Sequence, residues 1–293
     1  MAQSDFPTRT PHELGGLDSD PAVDLATAEM TERPLALITG GSSGIGFELA
    51  RQAYEHGFDV ILAAEHQGAL DEAAQVLRSA NGLAAIETIA VDLSTRSGVE
   101  ALIARIRQEN RPLDLLCANA GVGVGGDFAR ETDLEDELRM IQLNVTSQVH
   151  LIKAVLQDMI QHNAGRILIT SSIAGLIPGP REAVYSGTKA FLKVFGQAIT
   201  HELRDTDISV TVLMPGPTET NFFERAGLDD TKVGQDKKDD PADVAREGFE
   251  ALLKGDDRKV AGWKNKVQVA MASMLSDKQK AAVHADMTKP SDR

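Results

Sequence analysis

LALITGGSSGIGFELARQAYEH, residues 35–56, puts three kinds of chain into one short stretch. Apolar residues at 35–38 suit a buried strand, a turn with glycines at 40, 41, 44 and 46 follows, and FELARQAYEH then has helical period. Glycines in such a turn let backbone N–H groups approach an anion at the helix N-terminus, where the helix dipole favours negative charge. The alternation continues down the chain. Apolar runs at 59–64 (DVILAA), 84–91 (AAIETIAV), 113–119 (LDLLCAN), 166–171 (RILITS), 208–214 (ISVTVLM) and 258–262 (RKVAG) are separated by helical-period segments.

Near-continuous apolar strands alternating with helices predict an α/β fold, a Rossmann-type, doubly wound and mainly parallel seven-stranded sheet with helices on both faces. The ligand crevice of such a sheet lies at the carboxyl ends of its strands. The organisation read from the chain is an acidic, disordered extension over 1–33, a single dinucleotide-binding catalytic domain over 34–262, and a partly helical C-terminal tail over 263–293. The extension carries seven acidic residues against Arg9 and Arg33, with three prolines breaking its periodicity. It has too little apolar surface to offset its ordering entropy.

Composition narrows the function classes. The formal net charge of −14 argues against a nucleic-acid partner, which needs a basic patch. No apolar run approaches the length of a membrane span, and the polar N-terminus lacks a signal or transit pattern. Cys117, the single cysteine, excludes an internal disulfide and fits a reducing, cytoplasmic compartment. None of the seven histidines pairs with another or with Cys117 at ligand spacing, so no metal is expected.

The strand ends hold the candidate site residues. After the second apolar run stands Glu65, placed to hydrogen-bond an adenosine ribose and to repel a 2′-phosphate. No arginine or lysine lies in 57–70 or in the glycine turn, which favours NAD(H) over NADP(H). Asp92, with Leu93 beside it, ends the third strand. It can accept from an adenine amino group or serve equally well as the N-cap of the next helix. In TSSIAGLIPGPREAVYSGTKAF (170–191), Ser172 ends the fifth strand, while Tyr185 and Lys189 share one helical face at i and i+4. A lysine cation one turn away lowers the phenol's pKa, so the pair suits acid–base chemistry at a C–O group.

Taken together, Thr39-Gly40-x-x-x-Gly44-Ile45-Gly46, Asn119-Ala120-Gly121, Asn144, Ser172, Tyr185-x-x-x-Lys189 and Pro215-Gly216-x-x-x-Thr220 resemble, in order and spacing, the short-chain dehydrogenase/reductases. The resemblance covers 34 to about 262 and is to the single-domain branch. It implies an NAD(P)-dependent interconversion of a secondary alcohol and a carbonyl compound. Tyr185 would be the general acid/base, Lys189 would lower its pKa and bind the nicotinamide ribose, Ser172 would orient the substrate oxygen, and Asn144 would hold a proton-relaying water. Gly40, Ser42, Ser43, Gly44, Ile45 and Gly46 would line the cofactor site with Asn119, Ala120 and Gly121. Pro215, Gly216, Thr218 and Thr220 would surround the nicotinamide and pyrophosphate. The family's NAD-dependent members usually carry their acid at the position of Ala64, one residue before Glu65, so NADP(H) stays open. A small-molecule alcohol or carbonyl substrate and a homodimer or homotetramer through the fourth and fifth helices are also implied.

The segment after Gly216 would form a lid, with Phe222, Phe223 and Leu228 as an apolar wall opposite Leu176, Ile177 and Pro178. Two other readings compete with the enzyme. One is a catalytically idle NAD(P)-binding sensor. The other is an α/β-hydrolase using Ser42, since Gly40-x-Ser42-x-Gly44 matches a nucleophile elbow. The second cluster, Gly121-x-Gly123-x-x-Gly126, also matches a dinucleotide fingerprint but follows the fourth strand.

Overall fold

The computed structural model describes residues 33–80, 82–272 and 274–289. The acidic segment read over 1–33 lies outside these, apart from Arg33. Seven strands form one sheet: β1 (Leu35–Thr39), β2 (Asp59–Ala64), β3 (Ile86–Ala90), β4 (Leu115–Ala118), β5 (Gly165–Thr170), β6 (Ile208–Met214) and β7 (Arg258–Val260). Their order is β3-β2-β1-β4-β5-β6-β7, and every neighbouring pair is parallel. The sheet expected to be mainly parallel is parallel throughout.

Alternate residues of each strand face opposite ways, and both faces are covered. Leu35, Leu37 and Ile61 pack beneath α3 (Arg96–Arg107), α5 (Ser147–His162) and α6 (Ala183–Glu202). Ala36, Ile38, Val60 and Leu62 pack beneath α1 (Gly44–Glu55), α2 (Gln67–Arg78) and α9 (Pro241–Lys254). This two-sided burial is why the strands read as continuous apolar runs. Among the described residues, no helix is long and apolar enough to cross a membrane.

The strand order reverses between β1 and β4, and a crevice opens there. Thr39 ties the two strand ends together. Its buried hydroxyl accepts from the N–H groups of Asn119 and Ala120, both at 3.0 Å, and donates to the Cys117 carbonyl at 3.3 Å. The Asn119 amide also donates to the Thr39 carbonyl at 3.2 Å.

The long helical segment before β5 is broken by a π turn. α4 (Leu134–Ile141) runs into a π-helical stretch, Gln142–Thr146, and then into α5. Beyond β6 the lid folds into two short helices, α7 (Phe222–Arg225) and α8 (Lys232–Gln235). After β7 the chain does not trail away. α10 (Trp263–Ala272) and α11 (Asp277–Met287) turn back over the carboxyl ends of the strands.

Candidate active site

A cavity of about 1200 Å³ opens at those strand ends. Its floor begins at the glycine turn, where Gly40 (φ +67°) and Gly44 (φ +55°) adopt the left-handed conformation that favours glycine. Ser43 precedes α1 in an extended conformation and makes no side-chain cap, and no acidic residue occupies the first turn. The leading N–H groups of α1 therefore face the cavity without a side-chain acceptor, which suits a pyrophosphate. Ser42, Ser43, Gly44 and Ile45 line this end, and Asn119, Ala120 and Gly121 line the floor at the end of β4.

The other end of the cavity is built from β5 and α6. Ser172 caps a 3₁₀ turn (Ile173–Leu176), its hydroxyl accepting from the Ala174 N–H at 3.1 Å. That turn lies directly on the backbone of α6. A Cβ at Gly175 would stand 2.6 Å from Ala190 N and Lys189 C, so only glycine allows the approach. Ser171 adds a second tie, donating to the Lys189 carbonyl at 2.7 Å. The result brings Ser172 into hydrogen-bonding contact with Tyr185 and sets the Lys189 Nζ 5.7 Å from the Tyr185 ring centroid.

Tyr185 and Lys189 are both buried. Burial pushes the Tyr185 phenol well above its usual range, the Glu182 carboxylate pushes it further, and the Ser172 hydrogen bond opposes both. The simple sequence expectation of a depressed phenol is reversed here, because removal from water outweighs the nearby cation. Burial also brings the Lys189 ammonium down to about 8. Its Nζ donates to the Thr170 carbonyl at 3.0 Å.

Of the residues expected from the sequence to be catalytic or cofactor-binding, Asn144 alone stands outside the cavity lining. It lies in the π turn, fully buried, accepting from the Val122 N–H at 2.9 Å and donating to the Val122 carbonyl at 2.8 Å. π turns inside α-helices recur at functional positions. Pro215, Gly216, Thr218 and Thr220 line the side below the lid.

At the far end, Glu65, Asp92 and Leu93 line the cavity together with Arg139 of α4. Arg139 donates to the Glu65 carboxylate at 3.1 Å, so a basic group does reach this corner from outside the local sequence. Asp92 is not the N-cap of α3, because Thr95 holds that position and accepts from the Gly98 N–H. Asp92 instead accepts from the Ser94 hydroxyl at 2.6 Å and N–H at 2.8 Å. Burial works against its ionisation, but these bonds prevail and hold the carboxyl below its usual range.

The lid wall differs in part from expectation. Phe222 and Phe223 line the cavity, with the Phe222 ring centroid 5.2 Å from that of Tyr185. Leu228 is buried beneath the lid instead and presses on Gly125, while Pro178 is exposed outside the lining. The second glycine cluster is explained by the same packing. A Cβ at Gly123 would meet Phe222 at 2.5 Å and one at Gly125 would meet Leu228 at 2.4 Å. These glycines seat the lid.

Sequence reasoning missed four participants. Arg139 and Gly175 carry no local signal. Arg225 reaches from the lid to the Ser43 hydroxyl at 3.4 Å. His284, which the sequence placed in a tail, is buried against the cavity from α11.

Comparison with known proteins agrees with this fold. The family model described as short chain dehydrogenase matches residues 34–230. An uncharacterised oxidoreductase of Staphylococcus saprophyticus is 31% identical over 218 residues, 74% of this chain and 90% of the relative. An NADP-dependent 3-hydroxy acid dehydrogenase of Salmonella typhi is 31% identical, covering 69% of this chain and 80% of its own length. Among solved structures, a short-chain dehydrogenase from Sphingobium yanoikuyae in complex with NADPH superposes with a TM-score of 0.72 at 27% identity, covering 85% of this chain and 98% of that one. A Burkholderia phymatum short-chain dehydrogenase/reductase in complex with NAD has the same fold, with a TM-score of 0.75 at 23% identity over 89% of this chain and 97% of that one.

The packing of the 3₁₀ turn on α6 is directly testable. Gly175→Ala forces the two backbones apart and is expected to cost about 1–3 kcal/mol, as overpacking does. This lowers the thermal midpoint by several degrees. A midpoint equal to that of the wild type would contradict the close approach.

Proposed function

This chain belongs to the short-chain dehydrogenase family, and from that premise we propose that it interconverts a secondary alcohol and a carbonyl compound, with Tyr185 as general acid/base. The observation that carries the reading is the convergence of Ser172, Tyr185 and Lys189 at one end of a cavity whose other end is an uncapped helix N-terminus. A bound nicotinamide dinucleotide supplies the hydride donor or acceptor. In the reductive direction the Tyr185 O–H gives its proton to the carbonyl oxygen as that oxygen gains charge. In the oxidative direction the phenolate takes the alcohol proton. Ser172, already bonded to Tyr185, holds the same oxygen. Lys189, cationic at neutral pH, offsets the charge that develops on the phenolate. Asn144, in its π turn behind Gly121, takes the water-holding role that the family resemblance implies.

The hydrolase reading of Ser42 loses its premise, since that serine stands in the turn between β1 and α1 and the family match spans it. The raised Tyr185 phenol is protonated through the neutral range, the form that reduction requires. Reduction should therefore vary little with pH near neutrality, whereas oxidation should quicken as pH rises toward the phenol's ionisation. Tyr185→Phe should lower turnover by about 10²–10⁴-fold, the usual size of a lost general acid/base. It should leave cofactor affinity nearly unchanged. The check is a screen of ketones, aldehydes and secondary alcohols against both variants, and full activity in Tyr185→Phe would overturn the assignment.

Glu65 and Arg139 bear on cofactor choice. Glu65, Asp92, Asp133 and Asp136 put four carboxylates around this end of the cavity against Arg139. That balance favours NAD(H), whose ribose presents hydroxyls for Glu65, over NADP(H), whose 2′-phosphate meets repulsion. Arg139 is the group that would let NADP(H) bind at all. Glu65→Gln is expected to weaken NADH about tenfold, as about 1.4 kcal/mol would, and to strengthen NADPH. Arg139→Gln should weaken NADPH more than NADH. Fluorescence titrations with both cofactors decide this, and a wild-type preference for NADPH would reverse the reading of Glu65.

The outer face of α6 carries exposed Phe191 and Val194, with Phe191 stacked on Phe195 at 5.7 Å. This apolar strip supports a homo-oligomer assembled through that helix. Sedimentation should give at least a dimer, and Val194→Glu should shift it toward monomer.

A further inference from the structure

One buried pair of ionisable side chains has no part in that mechanism. His284 of α11 and Glu182, the residue just before α6, have side chains only 8% and 9% exposed. The imidazole Nε2 lies 3.3 Å from Glu182 Oε2, and the Nδ1 lies 3.2 Å from the Pro180 carbonyl. Both partners are acceptors. An imidazolium, with two ring N–H donors, serves both at once.

The location of the pair is what makes it functional. Glu182 and His284 line the same cavity as Ser172 and Tyr185, and Glu182 stands three residues before Tyr185. At the head of a helix a carboxylate ordinarily caps the first N–H groups. The Glu182 side chain makes no cap bond and is given to His284. The helix that carries His284 is itself held in place. The Thr288 hydroxyl donates to the Pro180 carbonyl at 3.1 Å, and Lys232 of α8 pairs with Asp286 at 2.8 Å. The other cations of this region have their own carboxylates, with Arg181 on Glu131 at 2.7 Å and Lys280 on Asp277 at 3.0 Å. Lys189 lies one turn along α6 from Tyr185 and is bonded to Thr170. Among the described residues, His284 is the cation that meets Glu182.

We propose that His284 is a positioning residue for Tyr185: as imidazolium it holds and neutralises the Glu182 carboxylate at the head of the catalytic helix, which makes α11 a wall of the active site. An uncompensated carboxylate so close would oppose the phenolate that forms when Tyr185 gives up its proton. With His284 charged, the pair is neutral and Lys189 acts on the phenolate unopposed. An uncharged side chain at 284 leaves the Glu182 charge uncompensated.

The inference rests on the assignment of Tyr185 as acid/base, so its test runs beside Tyr185→Phe in one assay. The reaction is NADH-dependent reduction of diacetyl, or of whichever ketone in the screen turns over fastest. His284→Gln strands the carboxylate and is expected to lower kcat about tenfold with NADH affinity unchanged. Adding Glu182→Gln to the same chain removes the stranded charge and is expected to restore most of kcat. A merely structural pair predicts a double variant as slow as the single one. That result, or a wild-type kcat in His284→Gln, overturns the inference. Should His284→Gln fail to fold, the double variant carries the test alone. A kcat near that of the wild type supports the role, and a kcat lowered about tenfold refutes it. Activity surviving in Tyr185→Phe would instead refute the function on which the inference rests.

Discussion

Burial of Lys189 is the constraint around which the site is arranged. An ammonium taken out of water needs acceptors close at hand, and this one finds the Thr170 carbonyl at the last residue of β5. That bond ties α6 to the end of the strand. Ser171 makes a second tie to the same turn of helix, and Gly175 lets the intervening 3₁₀ turn lie on the helix backbone. Ser172, Tyr185 and Lys189 come from two elements, yet these contacts leave them little freedom relative to one another. The same burial that brings the lysine down to about 8 raises the phenol. The resting site therefore stores its proton on tyrosine.

The two ends of the cavity are electrically different places. At the end beside Tyr185 the side chains of Lys189, Glu182 and His284 are buried, so any charge there feels its neighbours strongly and screening by salt is weak. At the far end Glu65 and Arg139 are half exposed, and their pairing is soft. A soft pair can open for a ligand at little cost, which suits the cofactor-selecting role proposed for Glu65 and Arg139. The lid spans both regions, with Phe222 against Tyr185 and Arg225 against the glycine turn. Its seat is the Gly121–Gly126 segment, where missing side chains make room for Phe222 and Leu228.

Much of the fold was legible because its signals are local. The runs 35–39, 59–64 and 208–214 coincide with β1, β2 and β6, since strands buried on both faces must be apolar along their whole length. Runs 84–91 and 113–119 extend past both ends of β3 and β4, and of the extra residues Val91 and Asn119 line the crevice. The helices α7 and α8 were not legible as helices. At four residues each they are too short to show a period, and tertiary packing holds them. The π turn at Asn144 has no sequence signature either, since its residues suit an ordinary α-helix equally well.

The sequence by itself determined the order of elements and the chemistry at each strand end. Glycine at 40 and 44, serine at 172 and the i, i+4 spacing of Tyr185 and Lys189 are local facts, readable from period and residue type. Only the tertiary structure decided which charges face one another. Arg139 meets Glu65 across 74 residues and His284 meets Glu182 across 102, and neither encounter leaves a trace in local pattern. Electrostatic partnership depends on distance in space and on exclusion of water, and both are properties of the folded chain. The same reason turned the expected depression of the Tyr185 phenol into its opposite. Spacing along the helix foretold the neighbouring cation, but only the packed structure showed how completely water had been removed.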